Sequence, residues 1–273
     1  MLTPNQAAAL NAAFAQLQRG DAAGAKTAVS AVLASARGAP AALHLYALCQ
    51  RDSGDHAGAR ASFEAALMGA PKDVNILNNY GAFLRLVGDL TGSEARLAQA
   101  TGLAPQRADL WINLAVTQME LRRYRAARQS AARAAELAPS NPSPLLARAG
   151  AERELGEFEA AEASLRQALG LAPQNGAIWT ALGVVRRLIG DPTDALECYA
   201  KARALGFETP ELLDAEASAY LDAGAPAKAL ASARALTQAA PAYVAGHELL
   251  AHMLWENGAG EENDPLAAFA RAV

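Results

Sequence analysis

The sequence predicts an all-α fold, a right-handed superhelical solenoid of antiparallel helix pairs, and three observations carry that prediction. A turn residue recurs every 34 positions, at Gly20, Gly54, Gly88, Arg122, Gly156, Gly190, Gly224 and Gly258. Apolar residues make up 52% of the 273-residue chain but aromatic ones only 5%. The apolar mass therefore lies in small side chains, chiefly alanine, which form helices readily and let their backbones approach closely. A proline closes most units, at Pro71, Pro105, Pro139, Pro173 and Pro241. Repetition at a fixed period marks an array in which each unit leans on its neighbours.

Within each unit the first helix precedes the glycine. It carries Trp111 or Trp179 at its fourth position and a small residue at its eighth, as at Ala47, Gly81, Ala115 and Gly183. After the glycine comes an acidic residue in five units, Asp21, Asp55, Asp89, Glu157 and Asp191, where a carboxylate suits the N-cap of the second helix. Pro192 and Pro226 follow in the first turn, where a missing N–H costs nothing. The second helix shows a small residue (Ala25, Ala59, Ser93, Ala127, Ala161, Ala195, Ala229) and, four further on, a larger one such as Phe63, Leu97, Leu165 or Tyr199. A small residue then returns at Ala66, Ala100, Ala134, Ala168 and Ala202, and the spacing of four and three keeps all of these on one face.

These columns resemble the tetratricopeptide repeat (TPR). The resemblance covers residues 6–39, 40–73, 74–107, 108–141, 142–175, 176–209, 210–243 and an incomplete 244–273, and implies a single repeat domain over 1–273. Three units depart from the pattern: the sixth has Phe207 in place of proline, the first delays its proline to Pro40, and the seventh has Leu236 in a small-residue column.

Charge and cysteine content narrow the function classes. A net charge of −4 and a pI near 5.6 lack the basic footprint of a nucleic-acid binder. The first residues show no targeting segment and no run of 18 apolar residues occurs, so the expectation is a cytoplasmic protein without membrane contact. Cys49 and Cys198 fall four repeats apart, too far for a disulfide, and are expected to be buried hydrophobes. His247 and His252 superficially resemble a zinc signature, but five residues of separation turn them about 140° apart around a helix, so they do not share one metal. With no phosphate loop and no nucleophile elbow, the expectation is a non-enzymatic chain with no cofactor.

In the resembled family the inner surface is lined by the first helix of each pair, at repeat positions two, five, six, nine, twelve and thirteen. Position six supplies Asn79 and Asn113, with Asn75 and Asn78 nearby; such asparagines resemble a ladder that hydrogen-bonds a guest's main chain, each amide offering donor and acceptor. Position twelve supplies Arg51, Arg85, Arg153 and Arg187. That row either meets carboxylates of an acidic guest bidentately or pairs with neighbours such as Asp52 and Glu154. Toward the far end the inner face turns acidic at Glu211, Asp214, Asp222, Glu248 and Glu256, with Trp255 as an apolar anchor.

The leading expectation is a binding module that grips an extended or helical protein segment, one with acidic stretches included. A second reading is the substrate-recruiting front of a larger modifying enzyme. The run Gly246 to Gly258 resembles the last repeat of bacterial proteins in which such arrays precede a 2-oxoglutarate and iron dependent oxygenase, and comparable arrays precede protein glycosyltransferases and sulfotransferases. A third is self-assembly, as a homodimer, through a carboxy-terminal end that lacks a polar capping helix.

Overall fold

The computed structural model describes residues 2–256, with backbone alone for Trp255 and Glu256. Among the described residues there are fifteen α-helices and no strand. The chain divides into two compact units, Met1–Ala138 and Pro139–Val273. The first holds α1 (Pro4–Gln18), α2 (Ala22–Ser35), α3 (Pro40–Asp52), α4 (His56–Gly69), α5 (Val74–Leu86), α6 (Leu90–Leu103), α7 (Ala108–Glu120) and α8 (Tyr124–Leu137). The second holds α9 (Pro142–Glu154), α10 (Phe158–Leu171), α11 (Gly176–Ile189), α12 (Pro192–Ala204), α13 (Pro210–Asp222), α14 (Pro226–Ala239) and α15 (Val244–Glu256). In both units each odd-numbered helix as far as α13 packs on the even-numbered helix after it, and α15 packs on α14.

The periodic turn residue makes these hairpins. Every described glycine of the 34-residue series has a positive φ, between 70° at Gly224 and 98° at Gly190. Arg122, the exception in sequence, adopts the same conformation at φ 56°, and a side chain there costs about 1–2 kcal/mol. The fold imposes the turn even where the residue opposes it.

The acidic residue after the turn caps the second helix only in some units. Asp21, Asp55 and Asp89 accept the backbone N–H of Gly24, Gly58 and Gly92 at 2.8–3.0 Å. A Cβ on any of these glycines would lie under 3 Å from the capping carboxylate. Glu157 and Asp191 sit at the same place but form no side-chain cap; the residues three further on are Ala160 and Asp194 in place of glycine.

Between the helices lie alanines without exposed surface. Ala25, Ala59, Ala127, Ala161, Ala195 and Ala229 are each 0% exposed, as is Ser93 in the same column. Leu236, the oversized residue of the seventh unit, is also fully buried. It is accommodated by α15, where a Cβ on Gly246 would meet Leu236 Cγ at 2.8 Å. The corresponding place in the other described units carries a side chain, such as Ile76, Leu110, Ile178 or Leu212, so large and small have exchanged sides.

A buried polar bridge fastens the two helices of several hairpins. Ser62 donates to Gln50 Oε1, Ser130 to Gln118 Oε1 and Ser164 to Glu152 Oε2, at 2.6–2.8 Å and always twelve residues apart. At the edge, Trp111 Nε1 and Trp179 Nε1 donate to the carbonyls of Pro105 and Pro173 at 3.0 and 2.9 Å. The indole tethers the first helix of a unit to the proline that closed the previous one.

Three substitutions test this packing by denaturant unfolding. Arg122→Gly is expected to stabilise the chain by about 0.5–1 kcal/mol, since the left-handed penalty of about 1–2 exceeds the added unfolded-state entropy of about 0.4–1. Leu236→Ala should cost about 2–5 kcal/mol. Gly246→Ala should destabilise the natural chain by about 1–3 kcal/mol through overpacking yet stabilise the Leu236→Ala background. Additivity of the last pair would show that the two side chains do not share one space.

Candidate binding groove

The hairpin packing places repeat positions two, five, six and nine of the first three units around one trough in the amino-terminal unit. From α1 come Ala7, Leu10, Asn11 and Phe14; from α3, Ala41, His44, Leu45 and Leu48; from α5, Asn75, Asn78 and Asn79. Leu2 and Arg107 complete a cavity of about 570 Å³, within the range of small-ligand and side-chain sites. Its floor is apolar, with Leu10, Leu45 and Leu48 each at most 7% exposed, while Phe14 is 45% exposed.

The asparagines form a hydrogen-bonded series between successive helices. Asn79 Nδ2 lies 2.9 Å from His44 Nε2, and Asn113 Nδ2 donates to Asn78 Oδ1 at 2.8 Å; both pairs are 35 residues apart. Position five of one unit thus meets position six of the next. An amide nitrogen only donates, so His44 Nε2 accepts and the ring is neutral with its proton on Nδ1. Burial lowers the His44 pKa from its ordinary value, Asp73 opposes that shift and Arg51 adds to it. Asn75 Oδ1 accepts from Arg107 Nη1 at 2.7 Å.

The position-twelve arginines follow a second rule of the same period. Arg85 Nη1 donates to Glu120 at 2.8 Å and Arg187 Nη1 to Asp222 at 3.0 Å, each 35 residues on. Arg51 and Arg153 turn instead to their sequence neighbours Asp52 and Glu154, both at 2.6 Å. The difference lies in the next unit: where its position thirteen is acidic, the arginine reaches across; where it is Leu86 or Leu188, nothing invites it. All four arginines are already ion-paired within the chain. An acidic guest would have to exchange for these carboxylates, and exposed pairs of this kind contribute about 0–1 kcal/mol each.

In the second unit Asp222 is held by Arg187, while Glu211 and Glu248 are exposed. Burial raises the Asp214 pKa, opposed by Arg187 and reinforced by Glu211. His247 is buried with Nε2 3.0 Å from the Pro241 carbonyl, the place the indoles take in other units, and His252 is exposed. No group of three or more metal-ligating side chains occurs among the described residues. Cys49 and Cys198 are buried, free thiols, and burial raises the pKa of both. No helix among the described residues is long and apolar enough to cross a membrane. The Trp255 and Glu256 side chains and the end proposed for self-assembly, residues 257–273, lie outside the described residues.

Asn11, Phe14 and Arg107 are among the trough residues that the sequence reading did not single out. Asn11 occupies the same sixth column as Asn79 and Asn113, two units upstream of Asn79, so extending that column would have found it. Phe14 stands at position nine, one of the inner-face columns of the resembled family, so reading that column in the first unit would have found it. Arg107 closes its unit in a loop column, and only the three-dimensional fold brings it to Asn75.

A family model described as tetratricopeptide repeat matches residues 10–74, 87–142 and 146–207, more than half of the chain. Among solved structures, a tetratricopeptide repeat protein from Parabacteroides merdae is similar with a TM-score of 0.74 at 16% identity, covering 92% of this chain and 100% of that one. The pilF protein of Pseudomonas aeruginosa gives 0.68 at 20% identity over 78% of this chain and 97% of its own. PilW, described as a type IV pilus biogenesis factor, gives 0.70 at 18% identity over 77% and 98%. At these identities the likeness is one of fold. No curated protein matches the chain in sequence.

The neutral state of His44 has a measurable consequence. Its folded pKa lies below the ordinary value of about 6.5, so the unfolded chain binds the proton more readily. Its effect on stability is therefore nil above about pH 6.5, becomes destabilising as pH falls below that value, and levels off once pH has passed the lowered folded value. Nuclear magnetic resonance of the imidazole should show a midpoint below about 6.5 and the Nδ1–H tautomer above it. A midpoint higher than that would mean that Nε2 is not an acceptor.

Proposed function

Because the chain belongs to the tetratricopeptide repeat family, whose members are generally protein–protein interaction modules, we propose that it grips an extended or helical segment of a partner polypeptide on the inner faces of its odd-numbered helices. The observation that carries this reading is the row of half-exposed amides, Asn78, Asn79 and Asn113, set in register by bonds between successive units. Each amide spends one end on its neighbour and keeps another for a guest. Fixed donors and acceptors at repeating intervals suit a main chain, whose own polar groups repeat.

The proposal also takes in Asn75, Arg51 and Arg85 in the amino-terminal unit and Arg153, Arg187 and Trp255 in the second. The arginines contribute through exchange of their present carboxylates and act as secondary contacts. A cytoplasmic setting and a single array over 1–273 belong to the same reading. If the chain forms the front of a modifying enzyme, the groove serves to recruit that enzyme's substrate.

A photo-crosslinking residue at Arg85 is expected to capture partner protein in cell extract. Capture should fall severalfold, to about a tenth, in an Asn79→Ala/Asn113→Ala variant whose helical circular dichroism is unchanged. Equal capture by the variant would remove the amide row from the function.

A further inference from the structure

Resting on the groove reading above, we infer that the trough between α1, α3 and α5 selects an uncharged, extended stretch of its partner that bears a bulky apolar side chain. That side chain seats against Phe14 over the leucine floor.

The charge inventory of the trough supplies the first argument. Arg107 donates to both oxygens of Asp109, at 3.1 and 2.6 Å, and to Asn75. Arg51 is engaged by Asp52. Asp73 spends Oδ1 on the backbone N–H groups of Asn75 and Ile76 at the start of α5. His44 is neutral, because it accepts from Asn79. Among the described residues Arg107 is the one charged side chain that lines the cavity, and it is already paired, so a charged guest side chain would be desolvated there without a free partner.

The second argument is the complementary supply of apolar surface and hydrogen-bonding groups. Phe14 leaves 45% of its surface exposed beside Leu10 and Leu48, which are nearly closed off from solvent. Covering an aromatic ring of this kind with an apolar side chain contributes a gain in proportion to the area removed from water. The amides of Asn75, Asn78 and Asn79 line the trough, and each has one end left over, in a definite order. Asn79 donates to His44 and so retains Oδ1 as an acceptor; Asn78 and Asn75 accept through Oδ1 and so retain their N–H groups as donors. An extended chain offers the matching N–H and C=O groups. His44 is the positioning residue here, since a protonated ring could not accept from Asn79 and would turn its amide around, reversing what it presents.

A phage-displayed library of random dodecapeptides, panned against the full chain, tests this. The expected consensus is a large apolar residue flanked by uncharged ones. A synthetic peptide of that consensus should bind Phe14→Asp and Asn79→Ala about tenfold more weakly than the natural chain by fluorescence anisotropy. Lysine or aspartate in place of its central residue should abolish binding. Phe14 is exposed enough that its variants keep the fold, which circular dichroism verifies, and Phe14→Ala provides a second, uncharged variant with the same expected direction. Enrichment of peptides with a charged centre that are insensitive to Phe14→Asp but lost on Asn79→Ala would overturn this inference and leave the groove reading standing. If nothing enriches, or no enriched peptide responds to any of the three variants, both fall.

Discussion

The structure depends on how closely two helices may approach when the side chains between them are small. Alanine columns with no exposed surface let each second helix lie almost backbone to backbone against its neighbours, and dispersion across such contacts is lost quickly as the gap widens. The constraint is on combined volume more than on any single residue. Leu236 occupies an alanine column because Gly246 withdraws its side chain. Volume-conserving exchange of this kind is what a close-packed interior tolerates best.

Because the seams absorb the apolar alanines, the remaining columns of the first helices are free to carry polar groups, and the repeat brings them into register. A pair thirty-five residues apart is one repeat plus one position. The slant between successive first helices thus makes position five meet six and position twelve meet thirteen. The same geometry that packs the array therefore aligns the amides of Asn78, Asn79 and Asn113 and pairs Arg85 with Glu120. Neutrality of the amino-terminal trough has its own source: among its described lining residues Arg107 is the one charged side chain, and Asp109 balances it.

The repeat pattern was legible because it is written many times over. Eight copies of one column make a single deviation, such as Arg122 for glycine, stand out as a deviation and not as noise, and the structure restores the same left-handed turn there. The cap was only half legible: the acidic residue announces an N-cap, and the capping bond forms in the three units where glycine stands three residues on. The arginine row shows the opposite limit. Its column could be read, yet both guest binding and internal pairing were consistent with it, because the deciding residue lies in the next unit at position thirteen.

The sequence by itself determined the class of fold and the hairpin boundaries, since period and residue size depend only on order along the chain, while the inner-face columns were what the family resemblance implied. Tertiary structure decided which polar groups are already satisfied and which remain for a guest. Hydrogen bonds and ion pairs are settled by distances of a few tenths of an ångström between residues about thirty or more positions apart, as where Arg107 reaches Asn75. No spacing in the chain encodes a choice that fine, so the neutrality of the trough could be seen only once the helices were in place.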